Sequence, residues 1–453
     1  MTKTETLIER VRKLRVDIVP IDRLKPESHN PRIHSDKQIQ QLAASIRSFG
    51  FLNPLLINKN HQVIAGHGRL LAARVLGMTE VPACSAEHLT DEQCRAFMIA
   101  DNKLTENSTW DKKLLGEQLK ILSEAEIDFS LETLGFEMGE IDLLIEGLTS
   151  SPQEGDADAA DALPQEDNLQ QVTRSGDLWV LGRNRVLCGN SLSQAGYSAL
   201  MEKRKADLVF ADPPYNVPID GHATGLGAIR HRNFQMAGGE MTEGEFIDFL
   251  AQVFSLLAEH SAAGSMHFVC MDWRHARELL TASRHIYSEF KNLCVWVKDN
   301  AGMGSLYRSQ HELVFVFKNG DETHSNNVQL GRFGRYRTNV WQYPGSNSFS
   351  RSTDEGNLLA LHPTVKPVAL VADAMMDCSK RGEIVLDPFL GSGSTVIAAE
   401  KTGRICYGIE IDPLYVDTTI RRWQKFTGLS ARDAVSGRTF AELEREASNG
   451  SRE

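Results

Sequence analysis

The apolar run Asp207-Leu208-Val209-Phe210-Ala211 leads straight into Asp212-Pro213-Pro214-Tyr215, and no other junction constrains this chain as tightly. Such a run reads as a buried strand of a parallel sheet. Pro213 and Pro214 cannot continue a ladder or a helix, so the strand ends there. An acid, two prolines and an aromatic then stand at its carboxyl end, where open α/β sheets hold their ligands. The four residues suit one difficult nucleophile, the exocyclic amino group of a nucleobase. The Asp212 carboxylate accepts one N–H, the Pro213 carbonyl accepts the second, and the nitrogen lone pair is freed from the ring. Tyr215 offers a face on which an unpaired base stacks.

A second junction repeats the pattern. Residues 383–395, Glu-Ile-Val-Leu-Asp-Pro-Phe-Leu-Gly-Ser-Gly-Ser-Thr, read as strand, glycine-rich turn and helix start. The next strand ends at Glu410, 19 residues after Gly391, where an acid accepts hydrogen bonds from ribose hydroxyls. The third glycine of a dinucleotide fingerprint is missing, and Asp387 is placed to meet an ammonium group. The pattern favours S-adenosylmethionine over NAD.

Strands are expected at 185–188, 207–211, 265–271, 292–297, 312–317, 383–386 and 404–409, and helices at 242–259, 274–284, 367–379, 395–401 and 413–426. This alternation predicts an α/β, Rossmann-like unit with a mostly parallel sheet and an antiparallel edge. Before it, a strand at 16–21, a helix at 37–48, strands at 54–58 and 62–65 and a helix opening at Gly66-His67-Gly68-Arg69 predict a smaller α+β unit. Residues 84–148 read as helical, and 1–14 as a short polar helix. The stretch 149–176 is acidic and almost free of large apolar groups, which predicts a flexible linker. The expected domains are therefore 1–148, 149–176, 177–428 and a polar tail, 429–453.

Composition excludes several classes. No apolar run reaches the roughly 18 residues of a membrane helix, and the start lacks a signal peptide's pattern. Seven cysteines without a C-x-x-C predict reduced thiols in a cytoplasm. Fourteen histidines without an H-E-x-x-H pair predict no catalytic metal. A net charge of -11 argues against a surface that binds nucleic acid throughout, but not against a local basic cleft. Two long polar stretches could supply one. In 319–361, Arg332, Arg335, Tyr336 and Arg337 interleave cations with aromatics and are candidate DNA contacts, the alternative being a solvated loop. The other, 216–240, carries Arg230, His231 and Arg232 and is expected to lie near the unpaired base.

The N-terminal stretch resembles the ParB-like N-terminal domain. Asn30-Pro31-Arg32, the L-A-x-S-I-x-x-x-G spacing of 42–50 and Gly66-His67-Gly68-Arg69-Leu70 carry the likeness. It implies phosphate or nucleotide contact by Gly66, Gly68 and Arg69, at a helix start where amides and a cation favour anions. One arginine stands where that family has an acid and paired arginines, so hydrolysis is not implied, and a purely structural turn is the alternative.

Residues 177–428 resemble an amino-directed DNA methyltransferase of the β arrangement. The likeness rests on Asp212-Pro213-Pro214-Tyr215, His362-Pro363-Thr364-Val365-Lys366-Pro367, the run from Asp387 to Ser394, and Gly408-Ile409-Glu410. It implies that Asp387, Phe389, Gly391, Gly393, Ser394 and Glu410 hold S-adenosylmethionine, that Thr364 and Lys366 close over its methionine end, and that Asn190 meets its adenine. His311-Glu312 also matches and reads as mainly structural. The implied reaction is methyl transfer to N6 of an adenine flipped from double-stranded DNA. N4 of cytosine is an alternative, though serine is commoner there than an acid. A ParB-like DNA-binding regulator that retains the transferase for binding is another. The first domain would add DNA affinity, homodimerisation or nucleotide control. A solitary phage or prophage modification enzyme fits better than a combined restriction enzyme.

Overall fold

The structure, a computed structural model, describes residues 15–27, 30–148, 170–217, 237–299, 301, 306–332, 334–345 and 365–450, and its backbone divides into two units, 1–149 and 150–453. The expected helix at 1–14 and residues 149–169 of the expected linker lie outside the described residues.

In the first unit the chain runs β1 (Val16–Pro20), α1 (Asp36–Phe49), β2 (Leu55–Ile57), β3 (Val63–Ala65), α2 (His67–Val75), β4 (Glu80–Ser85), α3 (Asp91–Glu106), α4 (Lys112–Glu124) and α5 (Met138–Glu146). Helix α1 starts where the Ser35 hydroxyl accepts the Gln38 N–H, and α3 where Thr90 and Gln93 form a reciprocal capping box. The sheet order is β1-β4-β2-β3. Strand β4 had not been expected: Val81 and Ala83 bury alternate positions, and β4 pairs antiparallel with β1 and parallel with β2. Leu119, Leu131, Met138, Ile141 and Ile145 form a separate core around α4 and α5. Gly116 permits that packing, since a Cβ there would lie 2.5 Å from the Leu144 carbonyl oxygen.

The second unit runs β5 (Leu178–Leu181), β6 (Asn184–Cys188), α6 (Gln194–Met201), β7 (Ala206–Ala211), α7 (Glu243–His260), β8 (Ser261–Met271), α8 (Ala276–Ser283), β9 (Glu289–Val297), β10 (His311–Lys318) and β11 (Val340–Gln342). It continues through α9 (Val368–Cys378), β12 (Ile384–Asp387), α10 (Ser394–Thr402), β13 (Ile405–Glu410), α11 (Pro413–Thr427), β14 (Arg432–Asp433) and α12 (Phe440–Gly450). These strands form one sheet, β11-β9-β10-β8-β7-β12-β13-β6-β5-β14, parallel from β8 to β6 and antiparallel where β10 joins β8 and β9 and where β5 joins β6 and β14. Helices α9, α10 and α11 contribute to the core on one face, and α6, α7 and α8 to the core on the other. The parallel centre and the antiparallel edge at β10 are what the alternation implied; the second antiparallel edge, where β5 joins β6 and β14, was not expected.

Of residues 429–453, expected as a polar tail, the described part, 429–450, returns to the sheet. Phe440 is fully buried with its ring 5.3 Å from that of Trp179, and Arg421 lies over the Phe440 ring and pairs with Glu444 at 2.7 Å. Leu443 packs against the same core, so two apolar groups dock an otherwise charged helix. Upstream, the Val172 and Thr173 N–H groups donate to Asp417 at 2.8 and 3.0 Å, so this unit is ordered before Asp177.

The segment following β10 is tied to α9 by charge. Arg335 bridges Asp373 and Asp377 at 3.0 and 2.9 Å, and Arg337 does the same at 3.0 Å to each. Arg335 and Asp377 are almost fully buried, so removing the acid leaves guanidinium charge that water does not reach. Asp377→Ala is expected to lower stability by about 3 kcal/mol, with Asp377→Asn losing less; denaturant titration of the full chain measures both.

Candidate active site

Val385 and Leu386 of β12 pair in register with Leu208 and Val209 of β7, so the two strand ends open side by side on one edge of the sheet. Beyond β7 stand Asp212 and Tyr215; β12 ends in Asp387. The Tyr215 hydroxyl lies 2.6 Å from Asp212 Oδ1 and 2.6 Å from Glu312 Oε1 of β10. Lys366, two residues before α9, places Nζ 2.6 Å from Asp212 Oδ2, 2.8 Å from Glu312 Oε1 and 3.3 Å from the Tyr215 hydroxyl. Glu312 also receives Lys298 from the end of β9 at 2.9 Å, and both ammonium groups lie over the Trp296 ring. Two carboxylates and two ammonium groups thus balance in a largely buried site.

Burial sets the titration of these groups. It raises the Asp212 carboxyl above the ordinary carboxylate range, opposed by Lys366. Burial acts the same way on Glu312, but Lys366 and Lys298 outweigh it and hold that carboxyl low. Burial opposes the charge on Lys366, yet Asp212 and Glu312 keep its ammonium protonated. Oxygen and sulfur atoms of Asp212, Cys270 and Glu312 come within 4.8 Å of one another, and the ammonium of Lys366 contacts the two acids.

The neighbouring acids are held by the β12 turn. Asp387 accepts the Phe389 N–H at 2.9 Å and the Thr395 hydroxyl at 2.5 Å; Glu410, ending β13, accepts the N–H groups of Gly391 and Asp412 at 2.8 and 2.9 Å. Gly393 has φ +83°, and a Cβ there would lie 2.6 Å from Thr419 Cγ2, so the turn requires glycine. Burial pushes both Asp387 and Glu410 up to about 7, and neither has an ion-pair partner among the described residues. Phe389 packs near Phe249. The Ser394 hydroxyl accepts from Arg422, and Asn190, exposed after β6, accepts the Leu192 N–H through its side chain.

The expected site residues separate into groups. Asp212, Pro213, Pro214 and Tyr215 stand with Lys366 on the strand end beside Asp387; Lys366 meets Asp212 and Glu312 rather than Asp387 or Glu410. Arg335 and Arg337, expected to face DNA, turn inward to α9 because two acids one helical turn apart await them there. Arg332 and Tyr336 are exposed. Thr364, Phe333, Arg230, His231 and Arg232 lie outside the described residues. In the first unit, Gly66 opens α2 at φ +96°, with Arg69 folded back so that a Cβ on Gly66 would lie 2.9 Å from Nη2. Arg69 Nε is buried without a hydrogen-bond partner, and His67 accepts the Glu27 N–H at 3.3 Å. Glu312, Lys298, Trp296 and Cys270 were not expected at the site; a charged residue at the end of an apolar strand, as at Lys298 and Glu312, was the available signal.

Residues 206–421 match the DNA methylase family, 5–103 the ParB N-terminal domain and 113–175 the ParB-methyltransferase HTH domain, the last covering α4 and α5. The ParB-like nuclease domain-containing protein YnaK of Escherichia coli K12 is 47% identical over 81 residues, 18% of this chain and 93% of that protein. The DNA adenine methyltransferase YhdJ of the same strain is 26% identical over 271 residues, 52% of this chain and 83% of that protein. Among solved structures, the cytosine-N4-specific PvuII DNA methyltransferase aligns over 60% of this chain and 94% of its own at 16% identity, with a TM-score of 0.41. The chain belongs, through its first unit, to the ParB N-terminal domain family, and joins to it a DNA methyltransferase domain of the N6/N4 type.

Proposed function

We infer that this protein transfers a methyl group from S-adenosylmethionine to N6 of adenine in double-stranded DNA. The observation that carries the reading is the opening of Asp212-Pro213-Pro214-Tyr215 beside two buried carboxylates, on adjacent strand ends, that have no ion-pair partner among the described residues. Those carboxylates suit a ligand that carries positive charge and ribose hydroxyls: Glu410 would take the hydroxyls and Asp387 the cationic end, with Gly391 and Gly393 giving close backbone approach. The bound cofactor supplies an electrophilic methyl on a sulfonium. Asp212 and the Pro213 carbonyl accept the two N–H bonds of the amine, Tyr215 stacks on the extruded base, and Asp212 takes up the proton released after transfer. The acid at Asp212 and the likeness to an adenine methyltransferase favour adenine over cytosine.

In the first unit, the helix start at Gly66 and the unpartnered Nε of Arg69 support a nucleotide phosphate site, and the match of 113–175 supports added DNA contact by the region of α4 and α5.

Labelled methyl transfer to unmethylated bacterial DNA, with the product nucleosides identified by mass, tests the reaction. N6-methyladenine is expected, with Asp212→Asn slowed about 10²–10³-fold. N4-methylcytosine would overturn the base, and no transfer would overturn the reading.

Asp387 and Glu410 give a second test. Their raised values mean that the protonated forms stabilise the ligand-free protein below the ordinary carboxyl range, and that this contribution is lost as pH rises through about 7. A cationic ligand prefers the ionised forms. Calorimetry in buffers of differing ionisation heat should therefore show proton release when S-adenosylmethionine binds near neutrality, and affinity that rises between about pH 6 and 8.

A further inference from the structure

Both oxygens of Asp212 are engaged by neighbouring side chains, Oδ1 by Tyr215 and Oδ2 by Lys366. Each oxygen keeps a further lone pair, so an incoming amine either shares an oxygen with one of these donors or displaces it. Tyr215 belongs to the same short turn as Asp212, so little separates the two. Lys366 is different, because its ammonium has a second carboxylate, Glu312, at 2.8 Å and keeps a partner when it leaves Asp212. Glu312 in turn retains Lys298 at 2.9 Å.

We propose that Lys366 is a positioning residue for Asp212, holding the carboxylate ionised and aimed until the target amine arrives, and then passing to Glu312. The proposal deepens the methyltransferase reading and rests on it for the identity of the amine. The charged and titratable groups around Asp212 come from several elements. Tyr215 comes from its own turn, Glu312 from β10, Cys270 from β8, Asp387 from β12 and Lys298 from β9 through Glu312. Lys366 is the cation among them that touches Asp212. Removing it leaves two buried carboxylates joined by one phenol and a single remaining ammonium. Lys298 sits on Glu312, so Asp212 is the group that must take up a proton and lose its capacity to accept from the amine. The arms of the cluster are held to one another: the Trp296 indole beneath Lys366 donates to the Tyr343 carbonyl at 2.9 Å, and Arg337 reaches both the Tyr343 hydroxyl and α9, which begins just after Lys366.

The experiment follows the Asp212 carboxyl by carbon NMR in full-length protein carrying labelled aspartate, with Asp212→Asn assigning the signal. In Lys366→Met without DNA, the Asp212 midpoint is expected to rise by about 1–3 units, and the acid limb of kcat/KM against pH should move the same way. Lys366→Arg should restore both. Glu312→Gln, of matched volume, should leave the midpoint unraised while kcat falls about 10–100-fold, because the ammonium has lost its alternative partner. An unmoved midpoint in Lys366→Met, with a rate loss equal at every pH, would overturn the proposal. A shifted midpoint in a protein that methylates no DNA would strike the reaction and leave the Lys366–Asp212 coupling standing.

Discussion

The parallel pairing of β7 with β12 brings together two segments far apart in the chain, and the chemistry of the second unit depends on it. Leu208 and Val209 lie against Val385 and Leu386, all fully buried, so the register is held by apolar contacts on both faces of the sheet. A slip of one residue would turn each of these side chains to the opposite face. With that register in place, the proline turn after β7 and the glycine turn after β12 open on the same edge. Helices α6 to α8 cover one face and α9 to α11 the other, and the strand ends remain open to ligands.

At that edge the protein buries charge in quantity. Isolating even one ammonium or carboxylate from water costs several kcal/mol, and mutual attraction offsets this only with good geometry and full pairing. The group formed by Asp212, Glu312, Lys366 and Lys298 meets the condition within itself, through contacts of 2.6 to 2.9 Å. Asp387 and Glu410 do not; they rely on backbone N–H groups and on protonation near neutrality. A paired cluster next to an unpaired one is the pattern expected where one site acts on a substrate and its neighbour waits for a cation.

Much of this was legible from local pattern. Continuous apolar runs marked β7 and β12, and the proline and glycine turns marked their ends, because those features act within a few residues. What escaped depends on partners distant in sequence. Strand β4 is a short alternation that becomes a strand by lying between β1 and β2. The last helix is mostly polar and docks through Phe440, which packs on Trp179, and Leu443. Arg335 and Arg337 looked like DNA contacts because arginine beside aromatics is the same text on a surface as in a buried pair. Only Asp373 and Asp377, placed on α9, decide between them. Glu312 read as structural for a related reason, since nothing near it names Lys366 as its partner.

Helix α9 joins these observations into one mechanical element. Its start follows Lys366, which touches the Asp212 carboxylate; its flank carries Asp373 and Asp377, which hold the arginines of the segment after β10. Tyr343 closes the circuit, with its hydroxyl bonded to Asp373 and its carbonyl to Trp296, whose ring lies under Lys366. The segment after β10, the flank of α9 and the Lys366–Asp212 pair are thus joined by an unbroken run of ion pairs, hydrogen bonds and one cation–ring contact, so the position of Lys366 is fixed from both the helix that follows it and the segment packed on that helix.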